Sequence, residues 1–125
     1  MVSYVINGPI LELTGEGEYG TGEITGVLIA ARNDPRRVSP TFLLIDIRES
    51  GSSPSIGDVQ ARLAVLRQQF GETMAPALAF VVRGVGRERL AHIYQARAKD
   101  IGEGLQIEVF TDPEAARAWL KAQGA

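Results

Sequence analysis

The sequence predicts an α/β domain built on a mostly parallel sheet. Three observations carry that expectation. Two apolar runs, residues 41–48 (TFLLIDIR) and 77–82 (ALAFVV), are nearly continuous, as strands covered on both faces should be. Stretches with helical spacing of apolar residues lie between and around them. Glycine, proline and asparagine punctuate the joints. Strands alternating with helices imply parallel pairing through right-handed crossovers. The chain of 125 residues has the length of one domain, residues 1–125. The expected architecture is a single compact domain with four to five strands, an N-terminal edge strand and about four helices.

Each element has its own warrant. Residues 3–6 and 10–14 flank Asn7-Gly8-Pro9, and Asn-Gly is a tight-turn signal. They read as a hairpin or as an edge segment turning into the first main strand. In residues 10–14 (ILELT), Leu11 and Leu13 share one face and Glu12 and Thr14 the other, the pattern of a half-exposed strand. From Thr21 to Arg32, Ile24, Val27, Leu28 and Ala31 form one helical stripe, and Pro35 closes that helix. The central strand, 41–48, hands over near Asp46 to a loop at 49–55 (ESGSSPS). A second helix over 55–70 carries Ile56, Val59, Leu63, Leu66 and Phe70 as its apolar stripe. After strand 77–82, Gly84-Val85-Gly86 opens a third helix with Leu90, Ile93, Tyr94, Ala98 and Ile101 on one face, and Gly102 and Gly104 stop it. Residues 105–110 alternate as an edge strand should. Asp112 then caps a short helix with Pro113 in its first turn, docked by Ala116, Trp119 and Leu120. Trp119 is expected to be a buried anchor.

Composition removes several classes of function. The absence of cysteine excludes disulfides, zinc–thiolate sites and thiol catalysis. With His92 the sole histidine, a multi-histidine metal site is excluded as well. A net charge of −2 gives no general pull on nucleic acid or an anionic membrane. No apolar run approaches the ~20 residues that span a bilayer. The N-terminus lacks the pattern of a signal peptide, so a cytoplasmic location without membrane insertion is expected.

One motif asks for a nucleotide. Residues 15–20 (GEGEYG) read G-x-G-x-x-G between a strand and a helix, where a dinucleotide fingerprint belongs. A pyrophosphate needs backbone N–H groups and a helix N-terminus aimed at it. Here Glu16 and Glu18 sit within the loop and would repel it. The preceding strand is half-exposed, and Gly22 follows Gly20, so the helix starts at Thr21. The glycines read better as a structural turn, and no cofactor is expected.

Other chemistry is sparse. Asp46 and Glu49 flank the end of the central strand, where α/β sites often lie, but with Arg48 they also read as a solvated rim. Ser50, Ser52, Ser53 and Ser55 offer hydroxyls, with the lone histidine far away in sequence. His92 points away from the apolar stripe of its helix. Arg83, Arg87 and Arg89 gather at the C-terminal end of strand 77–82, to receive an anion or to solubilise a helix start. No catalytic set and no metal site emerges.

The close of the chain, residues 107–120 (IEVFTDPEAARAWL), resembles the end of the STAS-like, or SpoIIAA-like, family of small bacterial proteins. Residues 8–24 (GPILELTGEGEYGTGEI) resemble that family's opening strand and turn, 42–50 (FLLIDIRES) its central strand, and 77–96 its next strand and helix. The resemblance spans essentially the whole chain. It implies kinship with sporulation anti-sigma-factor antagonists and, in architecture, with CRAL-TRIO lipid-binding domains. The antagonists carry a phosphorylatable serine in an Asp-Ser-Ser-Gly stretch, which falls here on Ser52-Ser53-Pro54-Ser55. Ser53 matches the phosphorylated position, while Ser52, Pro54 and Ser55 all depart from the pattern. The simpler expectation is that Ser53 or Ser55 caps the helix.

Two functions follow as expectations. The first is a non-enzymatic regulatory module with a protein partner, leaving a homodimer open. Its loop would contain Asp46, Glu49, Ser50, Ser53, Ser55 and Asp58, with Arg83 and Arg87 as anion contacts. The second is a carrier or sensor that takes a small apolar or anionic ligand between helices and sheet.

Overall fold

Five strands lie in the sheet in the order in which the chain makes them. The computed structural model describes every residue from Met1 to Ala125. Strand β1 (Val2–Asn7) pairs antiparallel with β2 (Ile10–Gly17) through the Asn7–Gly8–Pro9 turn. Strands β3 (Thr41–Ser50), β4 (Met74–Val81) and β5 (Gln106–Phe110) then add in parallel, each beside the last. Between them run α1 (Thr21–Arg32), α2 (Ile56–Phe70), and the pair α3 (Val85–Ala96) and α4 (Ala98–Ile101), and α5 (Pro113–Ala122) closes the chain. The expected α/β class, the antiparallel N-terminal edge and the edge position of the last strand are all present.

Strand order decides where the helices go. Each parallel step moves the same way across the sheet, and crossovers of the right-handed kind that such connections follow put every crossing helix on one face. The larger core cluster is there: 17 buried residues that join Leu11, Leu43, Leu78 and Ile107 of the sheet to Leu28, Leu63, Leu66, Phe70 and Tyr94 of the helices. The opposite face has only α5. Its cluster of nine uses a flat alanine surface on β4, Ala75, Ala77 and Ala79, against which Ala116 and Leu120 are fully buried. Asp112 caps α5 by accepting from the Glu114 N–H at 3.2 Å, and Pro113 occupies its first turn, as expected. Arg117 clamps the helix to β2, with Nε and Nη2 each 2.8 Å from the Glu12 carboxylate. The Arg117 hydrogen bonds hold the Glu12 carboxyl below its ordinary value of 4.5.

Several expectations need correction. Strand β3 does not end near Asp46 but continues to Ser50, because β2 also continues and pairs Glu16 with Glu49 and Gly17 with Ser50. A one-residue register shift after Thr14 and Asp46 marks a bulge there. The loop is therefore residues 51–55. Ile56 is 74% exposed, since it lies in the first turn of α2 beyond the sheet. Ile93 is 43% exposed, and the third helix breaks at Arg97 into α3 and α4. Trp119 is half-buried at the rim of the α5 cluster, its ring 5.8 Å from that of Phe110.

Leu120, not Trp119, therefore anchors α5. Leu120→Ala is expected to lose about 2–5 kcal/mol of unfolding free energy in denaturant melts. Trp119→Ala is expected to lose only about 1–2 kcal/mol, in proportion to its partial burial. The reverse order would show that the rim carries the helix.

Candidate functional site

The one-way winding brings the starts of α1 and α2 together at the C-terminal ends of β2 and β3. A crevice opens between them. Its inner part is a cavity of about 80 Å³ between sheet and helices, with 11 of its 14 lining residues hydrophobic, among them Leu13, Ile24, Leu28, Ile45, Phe80 and Leu90. Its outer part is a polar vestibule lined by Glu18, Tyr19, Gly20, Thr21, Ser52, Ser53, Pro54, Asp58 and Arg62. Tyr19 and Arg62 line both parts and form the boundary.

Tyr19 is held in place by the glycines of the GEGEYG stretch. Gly15 is buried in β2, and a Cβ there would come within 2.4 Å of the Tyr19 hydroxyl, so only glycine leaves room for the ring. Gly17 ends the strand at φ +64°, a left-handed conformation that side chains disfavour. The Tyr19 hydroxyl shares a 2.9 Å hydrogen bond with Ser50 Oγ, and Ser52 Oγ donates to the Tyr19 carbonyl at 3.2 Å. The turn before α1 is thereby tied to the loop before α2. The first two motif glycines thus belong to a strand, and the sheet has no reversal of strand order, the crevice that dinucleotides use.

Arg62 is the residue that sequence reasoning missed. It is 7% exposed on α2 and takes part in none of the protein's ion pairs. Its donors reach Thr21 Oγ1 at 3.5 Å and Ser52 Oγ at 3.4 Å, both long and therefore weak. Its guanidinium carbon lies 5.6 Å from the Tyr19 ring centroid, in cation–π range. On the other side stands Tyr94, stacked on Phe80 at 5.3 Å, whose hydroxyl is pushed up from its ordinary value by burial and drawn back by the charge of Arg62. A signal was present in the sequence. Position 62 lies three residues after Val59 and four before Leu66, within the apolar stripe.

The candidate residues do not form one cluster. Ser50 is buried behind Tyr19. Ser55 caps α2, accepting from the Asp58 N–H at 3.1 Å while Asp58 accepts from the Ser55 N–H at 3.0 Å, a reciprocal capping box. Hydrogen bonding from Ser55 lowers the Asp58 carboxyl from its ordinary value. Ser53 is exposed on the vestibule wall. Asp46 lies elsewhere: its side chain is on the α5 face, fully engaged by Arg48 Nε and Nη2 at 3.0 and 2.7 Å. Glu49 and Arg83 pair on an exposed rim, and Arg87 Nε donates to the Ser50 carbonyl, so neither arginine stands free. His92 is exposed and shares a hydrogen bond with Gln95.

The fold is that of a SpoIIAA-like α/β protein. A solved structure shows it: an uncharacterized DUF3478-family protein with a SpoIIAA-like fold from Shewanella loihica PV-4 superposes with a TM-score of 0.64, over 96% of this chain and 92% of that one. The two share 18% of their residues, so the likeness is one of fold. No protein-family model matches the chain, and no curated protein matches it. No helix is long and apolar enough to cross a membrane.

A buried arginine without a carboxylate should contribute little to folding. Arg62→Met is expected to unfold within about 1 kcal/mol of wild type, or to be more stable. A loss of about 3 kcal/mol or more, the size seen when a buried ion pair is broken, would make Arg62 a structural strut.

Proposed function

We propose that this protein is a non-enzymatic binding module that takes a small amphipathic molecule into the crevice between α1, α2 and the sheet. The observation that carries this reading is the apolar cavity joined to a polar vestibule at the C-terminal ends of β2 and β3. A concave apolar site with a few convergent polar groups is the usual form of a small-molecule site. The cavity is smaller than the ~150 Å³ that admits benzene in an engineered core, so the apolar part it accepts is short. Of the two acids on the vestibule, Asp58 is committed to a helix cap and Glu18 is exposed to solvent. With one of these acids held in a cap and the lone histidine, His92, on α3 outside the crevice lining, binding without turnover is the consistent reading.

A regulatory role with a protein partner remains the second reading, favoured by one feature. The 51–55 loop is hydrogen-bonded to Tyr19 and presents Ser53 to solvent, so a change at the cavity mouth would be felt on the surface. Modification of Ser53 would add charge beside the capped start of α2 and close to Asp58.

The test is to fill the cavity. Pentanol titrated into ¹⁵N-labelled protein is expected to shift the amides around Leu13, Ile24, Leu28 and Ile45. Ile24→Phe is expected to abolish those shifts and to leave the protein as stable or up to about 2 kcal/mol more so. Shifts confined to surface amides, or unchanged binding by Ile24→Phe, would contradict the reading.

A further inference from the structure

We infer that the ligand carries a single carboxylate, which pairs with Arg62 at the mouth of the cavity while its short apolar tail fills the space beneath Tyr19. This rests on the reading that the cavity binds a ligand, and it names the chemistry of that ligand.

Arg62 is nine-tenths buried, lines both cavity and vestibule, and has no carboxylate partner. Charged side chains are almost never buried unpaired. Two long hydroxyl contacts, the neighbouring Tyr94 hydroxyl and one aromatic face account for only part of what a guanidinium requires, because it offers five donors in a planar fork. That fork matches a carboxylate with two parallel hydrogen bonds.

A second donor set faces the same vestibule. Helix α1 has 12 residues, and its N-cap, Gly20, supplies no side-chain cap. Helices α2 and α5 are closed by side chains, Ser55 with Asp58 and Asp112, while α3 also starts without a side-chain cap, at Gly84, but its start does not line the vestibule. Glu23 in the first turn of α1 does not substitute, since its carboxylate accepts from the Val2 N–H and pairs with the N-terminal amine. The free N–H groups of the first turn of α1 and the positive end of its dipole therefore look onto the vestibule wall formed by Gly20 and Thr21.

The charge of the ligand is limited from the other side. Glu18 and Asp58 line the vestibule as well. One guanidinium and one helix terminus can hold a monoanion against those two acids. A phosphate monoester brings roughly −1.5 to −2 charges at neutral pH, which this balance does not support. The same balance disfavours the diphosphate that the G-x-G-x-x-G spacing suggests.

Three probes with one tail separate the possibilities: pentanoate, pentanol and pentyl phosphate, each titrated against the full chain with backbone amide and Arg62 Nε–Hε resonances followed. Pentanoate is expected to bind about tenfold more tightly than the other two, the size of one charge-assisted hydrogen bond, and to shift Arg62 Nε–Hε. Arg62→Gln is expected to reduce pentanoate to the affinity of pentanol and leave pentanol unchanged, while Arg62→Lys keeps most of the preference. Equal affinity for pentanol and pentanoate in the cavity would overturn the carboxylate assignment and leave the cavity reading standing. Tightest binding of pentyl phosphate would overturn the monoanion assignment. No response at the cavity amides to any probe would overturn both. If Arg62→Gln does not fold, the three-probe comparison on wild type and Arg62→Lys decides.

Discussion

The structure depends on a single topological constraint: every parallel strand is added on the same side of the last, and the right-handed rule for such crossovers then fixes the face on which the helices lie. That puts α1 to α4 on one face and obliges α5 to cover the other alone. It also sets the starts of α1 and α2 side by side over the ends of β2 and β3, without the strand-order reversal that creates a dinucleotide crevice. The apolar core fills the space between sheet and helices except where the two helix starts diverge. There, Tyr19 and Arg62 close over the cavity. Site and fold are thus consequences of the same winding.

Polar side chains manage the costs of this arrangement in different ways. On the α5 face, Glu12 and Arg117 satisfy one another and tie two chain-distant elements together. Asp46 and Arg48 do the same within one strand. In the crevice no such pairing occurs, and Arg62 is left with long contacts to hydroxyls. Natural proteins break local rules of this kind chiefly where function requires it. On the proposed reading, the missing carboxylate is brought by the ligand, and binding completes an interaction that folding leaves open. The hydrogen bonds from Tyr19 to Ser50 and from Ser52 to Tyr19 would then couple occupancy to the shape of the 51–55 loop.

Much of the fold was legible because its signals are local. The apolar runs of β3 and β4, the stripe of α1, the Asp112-Pro113 start of α5 and the Asn7-Gly8 turn each follow from short-range physics. Element ends were less legible. The extension of β3 to Ser50 depends on β2 pairing with it, a contact between residues more than thirty apart in sequence. Trp119 misled because size suggests burial, whereas the flat alanine face of β4 has room for Leu120 and leaves the indole at the rim. The candidate site was half legible. Ser53 and Asp58 line the vestibule and Ser55 lies in its loop, but Ser50 is buried in β3, and Asp46 was assigned from a strand end that the structure moves four residues onward. Arg62 was hidden because a charged residue in an apolar stripe is easily passed over, and its lack of a carboxylate partner is visible only in three dimensions.

The central claim is that Arg62 stays buried at the cavity mouth, in an ion pair with none of the protein's own carboxylates. A crystal structure at a resolution that shows ordered solvent tests it most directly. The account predicts density for a bound anion or ordered water within about 3.5 Å of the Arg62 guanidinium, with Tyr19 still against Gly15. An Arg62 side chain swung into an ion pair with Asp58 or Glu18, over a cavity closed by repacking, would contradict it.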